Sequence, residues 1–198
     1  MEVDVKMKYI IATDGGAFKR YDSGFDSVSA FRMYENGKLV FQEALLLEGK
    51  TNNYAEIYAI FRGLKAISTY IRRSGIQKAE VMLITDSELC FKSLTVWMRD
   101  WLDKSDSITL INSSKKPVIN QEVVKMAYIN MLELQAVCKF KMCHINSHES
   151  VDNIEKLRKK FNKVNKLKVS EEEFELIFIA NDECDTMVKE TYNKYKNK

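Results

Sequence analysis

The 198-residue sequence predicts an α/β fold in which five strands alternate with helices. Three observations carry that expectation. Two apolar runs, Tyr9-Ile10-Ile11-Ala12 and Val81-Met82-Leu83-Ile84, each end in Thr-Asp, the pattern of a buried strand that delivers a carboxylate to the edge of a sheet. An Asn36-Gly37 pair separates two further apolar runs, and Asn-Gly accepts positive φ at both central positions of a hairpin turn. Between this hairpin and the second Thr-Asp run, Ile57, Ile60, Phe61, Leu64, Ile67 and Ile71 recur at helical spacing.

Strand one ends at Asp14, where Gly15 and Gly16 signal a turn, and residues 17–27 are polar and irregular. Val28 to Tyr34 and Leu39 to Leu47 form the hairpin, which makes the first three strands antiparallel neighbours. Thr51 caps a helix that runs to about Arg73, with Glu56 in its first turn, where a carboxylate favours the helix dipole. Residues 79–86 are the fourth strand. Ser87 caps a short helix, and Thr95 to Asp103 continues helically with Trp97 and Trp101 one turn apart, on one face. Lys104 to Pro117 is a loop ending in Lys115-Lys116-Pro117, Ile119 to Ala136 is helical, and Val137 to Ile145 alternates as a fifth strand leading to His148.

From Ser150 to Val169 the chain carries Lys156, Arg158, Lys159, Lys160, Lys163, Lys166 and Lys168 against Asp152 and Glu155, a local excess of five positive charges. Ile154, Leu157, Phe161 and Val164 keep a helical stripe within it, so the segment reads as an amphipathic basic helix. Ser170 and Glu173 form a capping box for a last helix over Phe174 to Ile179; the pattern leaves open whether it runs on through Asn181 to Tyr195.

Size and composition fit a single domain over residues 1–198, with 45% hydrophobic residues to build a core. The 31 Lys+Arg against 28 Asp+Glu give only +3, so bulk charge does not announce a nucleic-acid partner and local clustering must make that case. Cys90, Cys138, Cys143 and Cys184 form no regular framework, which fits reduced thiols in the cytoplasm. Cys138 and Cys143 point to opposite faces of a strand, which argues against a zinc site shared with His144 and His148. There is no signal-peptide pattern and no apolar run near the ~20 residues needed to cross a bilayer. Nothing in the sequence calls for more than a monomer.

The acids at the end of strand one, the start of the first long helix and the end of strand four stand in an order that resembles ribonuclease H of the type I family. The resemblance is carried by Thr13-Asp14-Gly15, Thr51-Asn52-Asn53-Tyr54-Ala55-Glu56, Thr85-Asp86-Ser87 and Asn181-Asp182-Glu183-Cys184-Asp185. Trp97, Trp101 and the run Lys115-Lys116-Pro117-Val118-Ile119-Asn120, much like the basic protrusion of bacterial members, extend it. It implies a ribonuclease H-like fold, a mixed five-stranded sheet flanked by helices, and hydrolysis of the RNA strand of RNA–DNA hybrids to 5′-phosphate products. By motif, the metal-binding quartet of the family falls on Asp14, Glu56, Asp86 and Asp185; Asp182 is the other acid of the last motif. The implied cofactor is a pair of Mg²⁺ ions, with Mn²⁺ as the alternative.

Physical chemistry agrees with that assignment, because hard carboxylate oxygens suit Mg²⁺ and four crowded acids repel one another without a cation. His148 resembles the family histidine that assists proton transfer or product release, and a histidine titrates in the range that task requires. Asn52 and Asn53, by resemblance, read the hybrid in its minor groove, Thr51 and Asn120 grip a DNA phosphate, and Trp97 and Trp101 support the DNA channel. Lys115 and Lys116 add salt-dependent affinity without sequence preference, and the basic helix at 154–168 is a second candidate for that role. The segment of about 150–179 is an insertion before the C-terminal helix, where the family usually has a short glycine-containing loop. Two alternatives share the fold: a catalytically silent nucleic-acid-binding module, and another nuclease of the resolvase or transposase type.

Overall fold

The computed structural model describes residues 7–20, 24–76, 78–105, 108–146 and 154–196. Strands β1 (Met7–Lys19), β2 (Phe25–Glu35), β3 (Lys38–Glu48), β4 (Ala79–Thr85) and β5 (Lys139–His144) form one mixed sheet in the order β3-β2-β1-β4-β5. The hairpins β1–β2 and β2–β3 are antiparallel, whereas β1–β4 and β4–β5 are parallel. The β2–β3 turn has positive φ at both Asn36 (47°) and Gly37 (81°), as the Asn-Gly pair predicts.

Side chains alternate across this sheet, so each face needs its own cover. Tyr9, Ile11, Phe31, Met33, Val81 and Leu83 meet helix α1 (Asn52–Ser74) and helix α4 (Gln121–Val137) in the main core. On the opposite face, helix α5 (Ile154–Asn165) and helix α6 (Glu171–Lys196) cover Ala12, Val28, Ala30, Ile84 and Cys143. Helices α2 (Glu88–Lys92) and α3 (Met98–Asp103) follow β4, joined by a π-helical turn at Ser93–Trp97. Thr51 caps α1 by accepting from the Tyr54 N–H, and Gly75 ends it in the left-handed region.

Two expectations change and one open question closes. β1 does not stop at Asp14 but pairs with β2 through Lys19, so residues 17–19 and 25–27 belong to the ladder rather than to an irregular loop. Glu56 is the fifth residue of α1, past the first turn, and it is buried; the dipole reading does not account for it. α6 runs unbroken from Glu171 to Lys196, because Phe174, Ile177, Ala180, Asn181, Cys184 and Val188 keep one continuous buried stripe across Ala180. Among the described residues no helix is long and apolar enough to cross a membrane.

Candidate metal centre

The parallel ladder between β1 and β4 ends at the pair Thr13 and Thr85, and each strand contributes its acid one residue later. Asp14 and Asp86 are therefore delivered side by side. The two threonines hold this exit: Thr13 Oγ1 donates to the Ile84 carbonyl at 3.0 Å, and the Ser87 N–H donates to Thr85 Oγ1 at 3.2 Å. The duplicated Thr-Asp of the sequence thus brings two acids to one exit, although the two threonines bond differently and only Asp14 lies within its strand.

Glu56 joins them because α1 lies directly on the backbone of β1. A Cβ built on Gly15 would fall 2.3 Å from the Glu56 nitrogen and 2.6 Å from the Ala55 carbonyl carbon, closer than any side chain permits. On the other face a Cβ at Gly16 would fall 2.7 Å from Val188 Cγ1 of α6. Neither glycine has a positive φ, so their role is close approach rather than a turn. Asn52 then fixes Glu56 from inside α1: its Oδ1 accepts from the Ala17 N–H at 3.0 Å, and its Nδ2 donates to Glu56 Oε1 at 3.3 Å.

As a result, carboxylate oxygens of Asp14, Glu56 and Asp86 all lie within 4.8 Å of one another. Asp14 and Glu56 are each only 7% exposed. Burial, followed by the Asp86 carboxylate, pushes Asp14 up to about 7; Asp185 adds to the rise, while the Gly15 N–H and the Lys189 ammonium oppose it. Burial and then the charges of Asp14 and Asp86 raise Glu56 well above the ordinary carboxylate range. Glu56 Oε2 is buried with no hydrogen-bond partner. Three converging carboxylates with an unsatisfied oxygen are what a hard divalent cation would complete, and so the donor set fits Mg²⁺ or Mn²⁺.

The other predicted residues divide. Asp185 is outside the group of three: its carboxylate accepts from Lys189 one turn along α6, although it is near enough to act on Asp14. Cys184, fully buried, holds that part of α6 to the sheet by directing its thiol at the carbonyls of Ala12 and Ala30, 3.5 Å from each. Asp182 is exposed. His148 lies outside the described residues. Asn53, Trp97, Trp101 and Asn120 line one hollow of about 210 Å³ beside the acids, with Trp101 buried and Trp97 at its mouth. Thr51 and Asn120 share the next hollow, of about 500 Å³. Lys115 and Lys116 stand exposed in a loop closed by the bridge Ile111–Pro117.

Three residues hold positions that the sequence does not assign to them. His144 Nε2 lies 3.1 Å from the Asp86 carbonyl oxygen, and Asn165 of α5 clamps the His144 backbone from the other side. Neither contact has a local signal: the first depends on the register of β4 and β5, the second on how α5 docks on β5. Lys189 is different: its place four residues after Asp185 is a legible helical ion pair.

The family model described as RNase H matches residues 6–160, most of the chain. The chain belongs to the RNase H family. That match covers Asp14, Glu56 and Asp86 and stops before α6, so Asp185 stands beyond it. A ribonuclease H of Campylobacter curvus is 26% identical over 147 residues, 74% of this chain and 70% of that protein. A ribonuclease H of Solibacter usitatus is 36% identical over 76 residues, 38% of this chain. The matched segments span about half of the Solibacter and Geotalea uraniireducens relatives, 44% and 56% of their lengths. Among solved structures, the foamy viral protease-reverse transcriptase in complex with RNA/DNA hybrid superposes with a TM-score of 0.58 at 19% identity, over 84% of this chain and 20% of that one. The PFV RNase H domain superposes at 0.50 and 18% identity, over 82% and 94%. At such identities the likeness is one of fold, and it extends the RNase H-like architecture over most of this chain.

Proposed function

We propose that this RNase H-family chain is a metal-dependent endonuclease that hydrolyses the RNA strand of RNA–DNA hybrids. The observation that carries the proposal is the convergence of Asp14, Glu56 and Asp86 within 4.8 Å, with Glu56 Oε2 buried and unpartnered. Asp14, Glu56 and Asp86 would hold the cations, and Asp185 would complete the set once its carboxylate turns from Lys189. A pair of bound divalent ions supplies an activated water and stabilisation of the leaving oxygen in an in-line displacement at phosphorus. The chain's own part is positioning. The threonines at the end of the β1–β4 ladder brace two carboxylates, Asn52 fixes the third, and burial keeps Asp14 and Glu56 short of competing water.

Substrate contacts follow from the hollows. Asn53 and Asn120, beside the α1 and α4 N-termini, offer amides for minor-groove hydroxyls and phosphates, and the 2′-hydroxyl is what marks the RNA strand. Trp97 offers a flat apolar wall at the mouth of the same hollow. Lys115 and Lys116 extend the contact electrostatically. The same reading treats residues 1–198 as one domain, because α5 and α6 complete the second face of the sheet.

The test is incubation of the protein with labelled RNA–DNA hybrid, duplex DNA and duplex RNA, with Mg²⁺ or with chelator, beside Asp86→Asn. Hybrid RNA alone should be cut, only with metal, and Asp86→Asn should lose about a hundredfold or more of the rate, the scale of removing a group that stabilises transition-state charge. Intact hybrid in the presence of metal, or Asp86→Asn cutting as fast as the parent, rejects the proposal. Hybrid that is bound but never cut would favour the silent-module alternative.

A further inference from the structure

We infer that the solvent face of α5 is a second phosphate-binding surface, which carries the nucleic-acid interface from the acid cluster across the outer edge of the sheet. The inference rests on the proposed function for its ligand class and adds a contact of its own. Between Ile154 and Asn165 five cations stand against one acid, Glu155, and that acid is engaged by Arg158 at 2.7 Å and Lys159 at 3.1 Å. Lys156, Lys159, Lys160 and Lys163 recur at three- and four-residue spacing, so they share the face opposite the packed stripe, and all four are exposed.

Position decides between a ligand surface and a merely solvated one. α5 is held in a fixed register by a buried amide: Asn165, 5% exposed, accepts from the His144 N–H at 2.8 Å and donates to the His144 carbonyl at 2.8 Å and to the Phe161 carbonyl at 2.9 Å. His144 in turn contacts the Asp86 carbonyl. The basic helix is therefore docked one strand from the acids. Lys160 shares a small depression with His144 and Asn146, at the end of β5 nearest the cluster. A duplex lying on three carboxylates meets repulsion there, and a cationic ridge beside them supplies the opposing attraction.

Charge alone would also suit an anionic membrane. However, an interfacial helix needs a free apolar face to enter the lipid, and most of the apolar stripe of α5 is already used: Leu157 and Phe161 pack against Ile84, Cys143, Ile145 and Phe174, which leaves Val164 of that stripe exposed. The phosphates of a duplex need only the lysines.

The experiment measures binding of a fluorescein-labelled RNA–DNA hybrid by anisotropy, in chelator, across a series of KCl concentrations. The full chain is compared with Lys156→Gln/Lys160→Gln/Lys163→Gln, which leaves the Lys159–Glu155 pair in place, and with the same three positions changed to Arg. The Gln variant should bind at least about tenfold more weakly at low salt, with a log–log salt slope shallower by roughly 2 to 3, about one per lysine lost. The Arg variant should match the parent, which separates charge from fold. A Gln variant with the parental slope overturns the inference, as does a Gln variant that keeps the slope while losing affinity for phosphatidylserine vesicles. Cleavage of the hybrid by the parent is scored separately: parental cleavage with an unchanged slope removes this surface and leaves the proposed function standing.

Discussion

Gly15 shows how one missing atom sets the geometry of three charges. Its absent Cβ would strike backbone atoms of Ala55 and Glu56, which cannot rotate aside, whereas the contact at Gly16 is with the end of the Val188 side chain. Gly15→Ala should therefore lose about 1–3 kcal/mol, the ordinary cost of overpacking, and weaken Mg²⁺ binding because α1 must lift Glu56 away from Asp14. Gly16→Ala should lose clearly less. Urea unfolding with a parallel Mg²⁺ titration checks both, and equal midpoints for the two variants would show that backbone approach is not what Gly15 serves. The acids themselves are legible in the sequence by their Thr-Asp repetition and motif spacing. The glycines are legible only as special, since a Gly-Gly after an apolar run is written the same way whether it turns the chain or admits two helices.

At the level of elements, the apolar stripes of α1 and α5 and the Asn-Gly hairpin state in the sequence what they become, because each depends on local spacing. What is not legible is how α5 attaches. The Asn165–His144 clamp joins residues 21 positions apart through an amide that reads locally as one more polar residue near a helix end. Asn165→Ala strands the His144 N–H and carbonyl, and an unmet buried group costs about 1–3 kcal/mol. The variant should unfold about 2 kcal/mol earlier and show faster amide exchange along α5 than along α1. Hydrogen exchange with mass spectrometry measures this; uniform exchange across both helices would mean that α5 is held by its apolar stripe alone. The continuity of α6 was open for a related reason: the long buried stripe that carries it past Ala180 faces two separate patches of sheet, one around Phe174 and one around Cys184.

For the molecule as a whole, the acid cluster sets folding stability against function, and the conflict has a predictable pH dependence. Asp14 is raised from an ordinary value of 3.8 to about 7 by burial and by Asp86. Between those values the folded chain holds a proton that the unfolded chain has released, so metal-free stability should fall as pH rises from about 4 to about 7 and stay low above it. Glu88 and Glu155, held low by Lys92 and by Arg158 respectively, act in the opposite sense, losing their contribution as pH falls below the ordinary carboxylate range. The clean observable is thus the difference between the parent and Asp14→Asn, measured as melting temperature in chelator from pH 4 to 8. Asp14→Asn should melt progressively higher than the parent as pH rises, with most of the change between 4 and 7. Adding Mg²⁺ at pH 8 should raise the parent and not the variant, because a cation that binds only the folded carboxylates stabilises by mass action. A difference that does not vary with pH would show that Asp14 ionises in the folded chain as it does in the unfolded one, and that the three acids are not crowded enough to require a metal.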